Sequence, residues 1–311
     1  MAAETSGNPK NRFGNYEILS ILGRGGMAEV YRARVLSGPR EGWHVAIKRM
    51  LPELTQDPEA VELFASEADL CRFLHHPNIV KVLEVGMLDS NYFMVMELVD
   101  GRDLGQILKR CKQRGIPLPL DFAVYLGKVL MEALSYAHLA SKPNGEHLGI
   151  VHCDVSPSNM FISRVGEIKL GDFGIAWARA GAEDPKLRGK PYYLSPEVLD
   201  GEVTPQVDLW AATVTLYELI TLERPFLGKN PDEVFDAIRA RRYKSVRQVR
   251  PDCPKELEAI VDRGFSKRQA DRFQSAHEYA EALVPHFDER VGTPLGIAAV
   301  VRGLFGAGDV F

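Results

Sequence analysis

A chain of 311 residues with 45% hydrophobic and 26% charged residues is long enough to bury a substantial core and has the composition of an ordinary globular protein. Its formal net charge of -4 argues against a surface built to bind nucleic acid. Four cysteines (Cys71, Cys111, Cys153, Cys253) lie far apart with no C-x-x-C pair, which argues against a zinc site or disulfide frame and for reduced thiols in a cytoplasmic protein.

Residues 1–15 are polar and lack the apolar core of a signal peptide, so they are expected to form a disordered tail. Residues 16–35 alternate apolar and polar side chains across a glycine-rich break, which predicts two strands joined by a turn. A third strand is expected at 44–50, a helix at 57–74, and two more strands at 80–87 and 92–99. After Asp100-Gly101 the pattern turns helical, most clearly at 120–140. A loop at 141–149 leads into short strands and loops, and helical periodicity returns at 210–222, 231–241, 255–265 and 276–287. In the tail 288–311, Leu295, Ala298, Ala299, Val301 or Leu304, and Phe305 stand at roughly helical spacing. The expected fold is α+β and two-lobed: a β-rich part at about 16–99 with one main helix, and a larger helical part at about 100–287. A cleft between two lobes is a common place for a ligand. The apolar runs 210–220 and 296–308 are too short and interrupted to span a bilayer, so no membrane partner is expected.

Three stretches carry chemistry. Leu22-Gly23-Arg24-Gly25-Gly26-Met27-Ala28-Glu29-Val30 sits between two predicted strands, where glycines let backbone N–H groups approach phosphate oxygens. Alone, a glycine-rich hairpin is more often just a turn. Val45-Ala46-Ile47-Lys48 puts a lysine at the end of an apolar strand, and Glu67 on the next helix is its candidate partner for holding the α- and β-phosphates of a nucleotide. His152-Cys153-Asp154-Val155-Ser156-Pro157-Ser158-Asn159, followed by Asp172-Phe173-Gly174, supplies three oxygen-bearing side chains. Asp154 is the candidate base or orienting carboxylate for a hydroxyl nucleophile, and Asn159 and Asp172 are candidate Mg²⁺ ligands.

In this order, these residues resemble a eukaryotic-type (Hanks-type) Ser/Thr protein kinase of the bacterial branch, over residues 16–287. Ser195-Pro196-Glu197 is similar to the family's A-P-E motif and Asp208-Leu209-Trp210 to the start of its central helix. Asp271-Arg272-Phe273 supplies an arginine to pair with Glu197. The resemblance implies transfer of the ATP γ-phosphoryl group to Ser/Thr hydroxyls of a protein substrate, with Mg²⁺ as cofactor and Mn²⁺ as a second candidate. It implies that Met96 is the gatekeeper, that Glu97 begins the hinge, and that Val99 offers its backbone to adenine. Asp103 then reaches the ribose, and Val30, Ala46 and Phe161 sandwich the base. Pro157 matches the Ser/Thr pattern better than the tyrosine-kinase loop. Small-molecule phosphotransferases lack the Ser-Pro-Glu and Asp-Arg-Phe elements. With no sensor domain in view, a regulatory protein partner is a candidate source of control.

Departures from the family pattern are equally informative. Cys153 replaces the arginine that ordinarily meets a phosphate on the activation loop, and residues 175–191 contain no Ser, Thr or Tyr. The two losses agree: activity is not expected to be switched by phosphorylation in that loop. Ser156 stands where the family has a lysine, and Lys190 where it has a threonine, so the charge and the hydroxyl look exchanged. Lys190 is therefore a candidate catalytic cation. Thr213 stands where the central helix usually has glycine. Together these changes are what a kinase-like nucleotide-binding scaffold with weak or no catalysis would show, which is the alternative to an active enzyme.

Overall fold

Side-chain alternation builds a six-stranded antiparallel sheet from β1 (Arg12–Phe13), β2 (Tyr16–Arg24), β3 (Ala28–Val35), β4 (His44–Met50), β5 (Val82–Leu88) and β6 (Asn91–Glu97), in the order β1-β2-β3-β4-β6-β5. The structure is a computed structural model describing residues 11–173 and 190–305. Chain contacts separate two units, Met1–His75 with Val80–Leu98, and His76–Ile79 with Val99–Phe311.

In the first unit, successive residues point to opposite faces of the sheet. Val45, Ile47, Phe93 and Val95 join Phe13, Tyr16, Ala33 and Val35 in one apolar layer. On the opposite face Ala46, Met50, Met94, Met96 and Ala28 pack against Ala60, Phe64 and Ala68 of helix α1 (Pro58–Cys71). Asp57 starts this helix by accepting hydrogen bonds from the Glu59 and Ala60 amides, with Pro58 pre-set in the first turn. The expectation of a disordered 1–15 fails at Arg12–Phe13, which pair with Tyr16 and Glu17. Phe13 is buried edge-on against Phe93 at 5.2 Å, under the Arg49 guanidinium at 5.1 Å. One anchored aromatic orders a segment whose average composition is polar.

The second unit contains a small sheet, β7 (Gly101–Asp103), β8 (Met160–Ser163) and β9 (Ile168–Leu170), ordered β7-β8-β9. A Cβ on Gly101 would lie 1.9 Å from the Ile162 carbonyl oxygen, so only glycine lets β7 lie this close to β8. Its α-helices among the described residues are α2 (Leu104–Arg114), α3 (Leu120–Leu139), α4 (Pro196–Leu199), α5 (Pro205–Thr221), α6 (Pro231–Arg239), α7 (Val246–Val249), α8 (Lys255–Gly264), α9 (Ala276–Leu283) and α10 (Pro294–Phe305). Every residue of α5 from Val207 to Thr221 is buried, which marks it as the axis of this unit and explains its weak amphipathic pattern. The α9 helix stops before the expected 287 because Pro285 follows Val284.

The α10 helix forms, with an apolar face that matches the expected one at Ala298, Val301 and Leu304 and departs from it at Leu295 and Ala299. Ile297, Ala298, Val301 and Leu304 are buried, while Leu295 is 74% exposed and Ala299 is also outside. Arg110 and Arg114 of α2 donate to the carbonyls of Leu304 and Gly303, satisfying the helix C-terminus, and Phe305 lies under Arg102 and Arg110. Among the described residues no helix is long and apolar enough to cross a membrane.

Candidate active site

The strand period decides what Lys48 can reach. It shares a β4 face with Ala46 and Met50, and that face looks onto α1. Glu67 is buried on the same helix, and Lys48 Nζ donates to its Oε1 at 2.5 Å. The side chains are only 16% and 8% exposed, a setting in which solvent screens the pair little. Val30 lies opposite Lys48 across β3–β4, and Ala46 lies opposite Met96 across β4–β6. Val30, Ala46 and Met96 therefore gather on one face. Glu97 ends β6, its carboxylate accepting from the Lys81 amide at 2.8 Å.

Residues Leu22 to Gly26 are exposed, and the turn closes through Gly25 N–H donating to the Ala28 carbonyl at 2.8 Å. Arg24 pairs with Glu29 and Glu53 beside it, while Met27 and Val30 pack inward. Neither Gly23 nor Gly26 has a positive φ, and a Cβ on either would meet nothing within 4 Å. The chain itself does not demand glycine there. Open backbone of this kind is what a phosphate needs for close approach.

In the second unit, Asp208 at the start of α5 organises the loop bearing Asp154. Fully buried, it accepts the amide N–H groups of His152 (2.7 Å) and Cys153 (2.8 Å) and contacts His138 Nε2 at 2.8 Å. The His152 ring is also buried and stacks on Phe173 at 4.3 Å between centroids. Its Nδ1 accepts the Asp154 amide at 3.2 Å, which leaves Nε2 to donate to the Gly171 carbonyl at 3.2 Å. Burial holds the His152 pKa below the usual histidine value, despite the pull of Asp208, Asp154 and Asp172. Cys153 and Asp172 both take left-handed backbone angles, φ 63° and 53°. Such angles in residues other than glycine are costly and cluster at functional sites.

Asn159 then ties the loop to itself. Its Nδ2 donates to the Asp154 carbonyl at 2.8 Å and to Asp154 Oδ2 at 2.7 Å. The β8–β9 register sets Met160 opposite Leu170, and Gly171 N–H donates to the Asn159 carbonyl at 2.9 Å, so Asn159 and Asp172 flank the same hairpin end. Lys190 completes the cluster, with Nζ 3.1 Å from Asp154 Oδ2, 2.7 Å from Ser156 Oγ and 3.5 Å from Asn159 Oδ1. Asp103 and Phe161 are cross-strand partners on β7–β8, and Asp103 caps α2 by accepting the Gln106 amide. Burial raises the Asp103 pKa against that hydrogen bond. Val99, half-buried, opens the longer segment of this unit.

Each set of candidates thus gathers inside its own unit. Asn159 Oδ1 and the Asp172 carboxylate are hard oxygen donors, suited to Mg²⁺, which keeps several ligands for water and phosphate. No group of three or more His, Cys, Asp or Glu that could hold a metal occurs among the described residues, which does not favour a closed zinc-type cage. Cys153 lies against Asp208 and Asp154, and burial pushes its thiol pKa far up, so it is a poor nucleophile. Beyond the loop, Tyr193 donates to Glu218 at 2.6 Å, Tyr192 stacks under Arg224, and Ser195 is buried as the N-cap of α4. Residues 175–189, expected to be without a phosphorylation switch, lie outside the described residues, as does Gly174.

The sequence expectation named Asp154, Asn159, Asp172 and the lysines as candidates but assigned no role to His152 and none beyond starting a helix to Asp208. The available signal was chemical: a carboxylate at the start of an otherwise apolar helix needs partners when buried.

Comparison with known proteins agrees with this geometry. Residues 16–284 match the family described as protein kinase domain. The tyrosine-protein kinase MasK of Myxococcus xanthus is 36% identical over 304 residues, covering 94% of this chain and 46% of that protein. The serine/threonine-protein kinase PrkC of Bacillus subtilis is 31% identical over 279 residues, 88% of this chain and 41% of that protein. The chain therefore spans less than half the length of these curated relatives. Among solved structures, the kinase domain of Mycobacterium tuberculosis PknI superposes with a TM-score of 0.67 at 26% identity, over 92% of this chain and 99% of that one.

Proposed function

The chain belongs to the protein kinase domain family, and from that premise we propose that it transfers the γ-phosphoryl group of Mg-ATP to serine and threonine hydroxyls of protein substrates. The observation that carries the reading is the Asn159 clamp on Asp154, which holds a carboxylate and an amide oxygen in fixed relation beside Asp172.

Lys48, braced by Glu67, binds the α- and β-phosphates, and the segment from Leu22 to Val30, exposed from Leu22 to Gly26, covers them. Val30, Ala46 and Met96 supply apolar surface for the base, with Phe161 as the further candidate. Glu97 and Val99 supply hinge backbone, and Asp103 the ribose contact. Mg²⁺, for which Mn²⁺ is a candidate substitute, would be held by Asn159 and Asp172 and would neutralise charge on the phosphates. Asp154 orients the acceptor hydroxyl and takes its proton as the oxygen attacks in line. Preference for Ser and Thr is supported by Pro157 in the catalytic loop and by the name of the B. subtilis relative; the M. xanthus relative carries a tyrosine-kinase name.

The test uses γ-labelled ATP, purified protein and a generic basic acceptor protein, followed by identification of the phosphorylated amino acid. Label on Ser or Thr that disappears with Asp154→Ala is expected. Label on tyrosine alone overturns the acceptor class, and no Asp154-dependent label overturns the activity.

A further inference from the structure

We propose that Lys190 is the catalytic cation facing the transferring phosphoryl group, in a charge exchange with Ser156 that leaves the site its ammonium but delivers it from the other side. The inference rests on the phosphoryl-transfer reading above and assigns a chemical role within it.

An ammonium has three N–H donors and no acceptor. Here it is ringed by the oxygens of three loop residues: Ser156 Oγ at 2.7 Å, Asp154 Oδ2 at 3.1 Å and Asn159 Oδ1 at 3.5 Å. Two of these belong to the residues that orient the nucleophile and hold the metal, so Nζ sits at the meeting point of acceptor and donor. Lys190 retains 38% exposure of its side chain, enough to face an incoming phosphate. The contacts that hold it are with the reactive loop itself.

Ser156 explains why the cation comes from position 190. It is 2% exposed, and its hydroxyl contacts both Lys190 and Ser158 Oγ. An ammonium at 156 would crowd a second ammonium already there, and like charges this close repel strongly where solvent is scarce. With a hydroxyl at both positions, the developing negative charge would face no ammonium from these two positions. One lysine and one hydroxyl are what the pocket accepts, and this chain carries the lysine at 190.

In the step itself, a bond forms between the acceptor hydroxyl oxygen and the γ-phosphorus as the bond from that phosphorus to the β–γ bridging oxygen breaks. ADP leaves with the electron pair, and the hydroxyl proton passes to Asp154. Lys190 moves no proton. It pairs with the γ-phosphoryl oxygens where charge accumulates, an interaction stronger in the transition state than in the bound ground state.

The experiment compares wild type, Lys190→Met, Lys190→Thr, Ser156→Lys and the double variant Ser156→Lys/Lys190→Thr. Each is assayed for steady-state transfer from γ-labelled Mg-ATP, binding of a fluorescent ATP analogue, and thermal unfolding. Loss of one such stabilising group typically lowers kcat by a hundredfold or so. Lys190→Met is therefore expected to lose about that factor in kcat, with KM for ATP and nucleotide affinity within about threefold of wild type and an unchanged unfolding midpoint. The double variant should regain at least about tenfold over Lys190→Thr. A Lys190→Met kcat within about threefold of wild type overturns the proposal, and so does a double variant no better than Lys190→Thr. Wild type lacking any transfer that Asp154→Ala abolishes would instead overturn the phosphoryl-transfer reading, and this assignment with it.

Discussion

Arg272 and Glu197 meet in a two-pronged ion pair closed to solvent: Nη1 to Oε1 at 2.6 Å and Nη2 to Oε2 at 3.0 Å, with side chains 1% and 5% exposed. Arg272 also donates through Nε to the Ser266 carbonyl, and its guanidinium lies over Trp210. Removing one partner strands a buried charge, which typically costs about 3–5 kcal/mol. Arg272→Ala is expected to lose that much in urea unfolding followed by circular dichroism. A loss under about 1 kcal/mol would show that water or another cation reaches Glu197 easily.

The Asp208 carboxylate does for the catalytic loop what a cap does for a helix: it satisfies two adjacent backbone N–H groups. In Asp208→Asn one of them must face an NH2 group, at about 1–3 kcal/mol for an unsatisfied buried donor. The loop carrying Asp154 then shifts, and a displacement of about 1 Å can cost about a hundredfold in rate. The expected result is a drop of that order in kcat with KM for ATP little changed. Equal kcat in the two proteins would remove Asp208 from the positioning of Asp154.

What the sequence disclosed followed from repeating patterns. The period-2 alternation in 44–50 and 92–99 placed Lys48, Ala46 and Met96 in strands, and the coordinates put them on a common face. The Asp154–Asn159 and Asp172 spacing marked candidates that the fold brings together, because both lie in short segments flanking one hairpin. Hidden were features decided by single tertiary contacts. Phe13 turns a polar tail into an edge strand through one ring on Phe93. Ile297 rather than Leu295 points inward on α10, on one stripe with Val301 and Leu304, while the arginines of α2 hold the carbonyls at that helix's end. His152 holds the Asp154 amide through its ring nitrogen, a bond no spacing rule encodes.

Thr213 and Gly264 are a matched pair across α5 and α8. A Cβ at Gly264 would lie 2.4 Å from Thr213 Oγ1 and 2.7 Å from its Cγ2, and Gly264 has no positive φ, so space rather than backbone angle requires glycine. Thr213 uses that space to donate to the Leu209 carbonyl and accept from Tyr279. Gly264→Ala should cost about 1–3 kcal/mol by overpacking. Thr213→Ala in that background should recover part of the loss, giving a coupling of at least about 0.5 kcal/mol in a double-mutant cycle. Additive losses would show that the two positions do not share this space.

Lys48 and Glu67 predict a split between binding and fold. Lys48→Met should lower kcat/KM for ATP by about a hundredfold or more through loss of a cation on the phosphates. Lys48→Arg should not restore it, because a planar guanidinium cannot reproduce a point contact at 2.5 Å to Glu67 within the same space. Steady-state kinetics at several ATP concentrations decide the matter. An arginine variant as active as wild type would mean that charge alone suffices at this position.

Protonation of His152 sets the direction of the pH dependence. Burial lowers its pKa in the folded state below the ordinary 6.5, so the unfolded chain takes up a proton that the folded chain resists. Above about pH 6.5 both states are neutral there and the contribution is constant. As pH falls below that value stability is lost, until the folded pKa is passed. His76, also lowered by burial, adds a loss of the same sign, so the comparison must isolate His152. In His152→Gln the amide can still accept from Asp154 and donate to Gly171 but does not titrate. Urea midpoints at about pH 7 and 5.5, above the range of ordinary carboxylates, should fall further in wild type than in this variant. Equal falls would mean that the ring is already free to charge in the folded loop, and the neutral tautomer holding Asp154 would have to be given up.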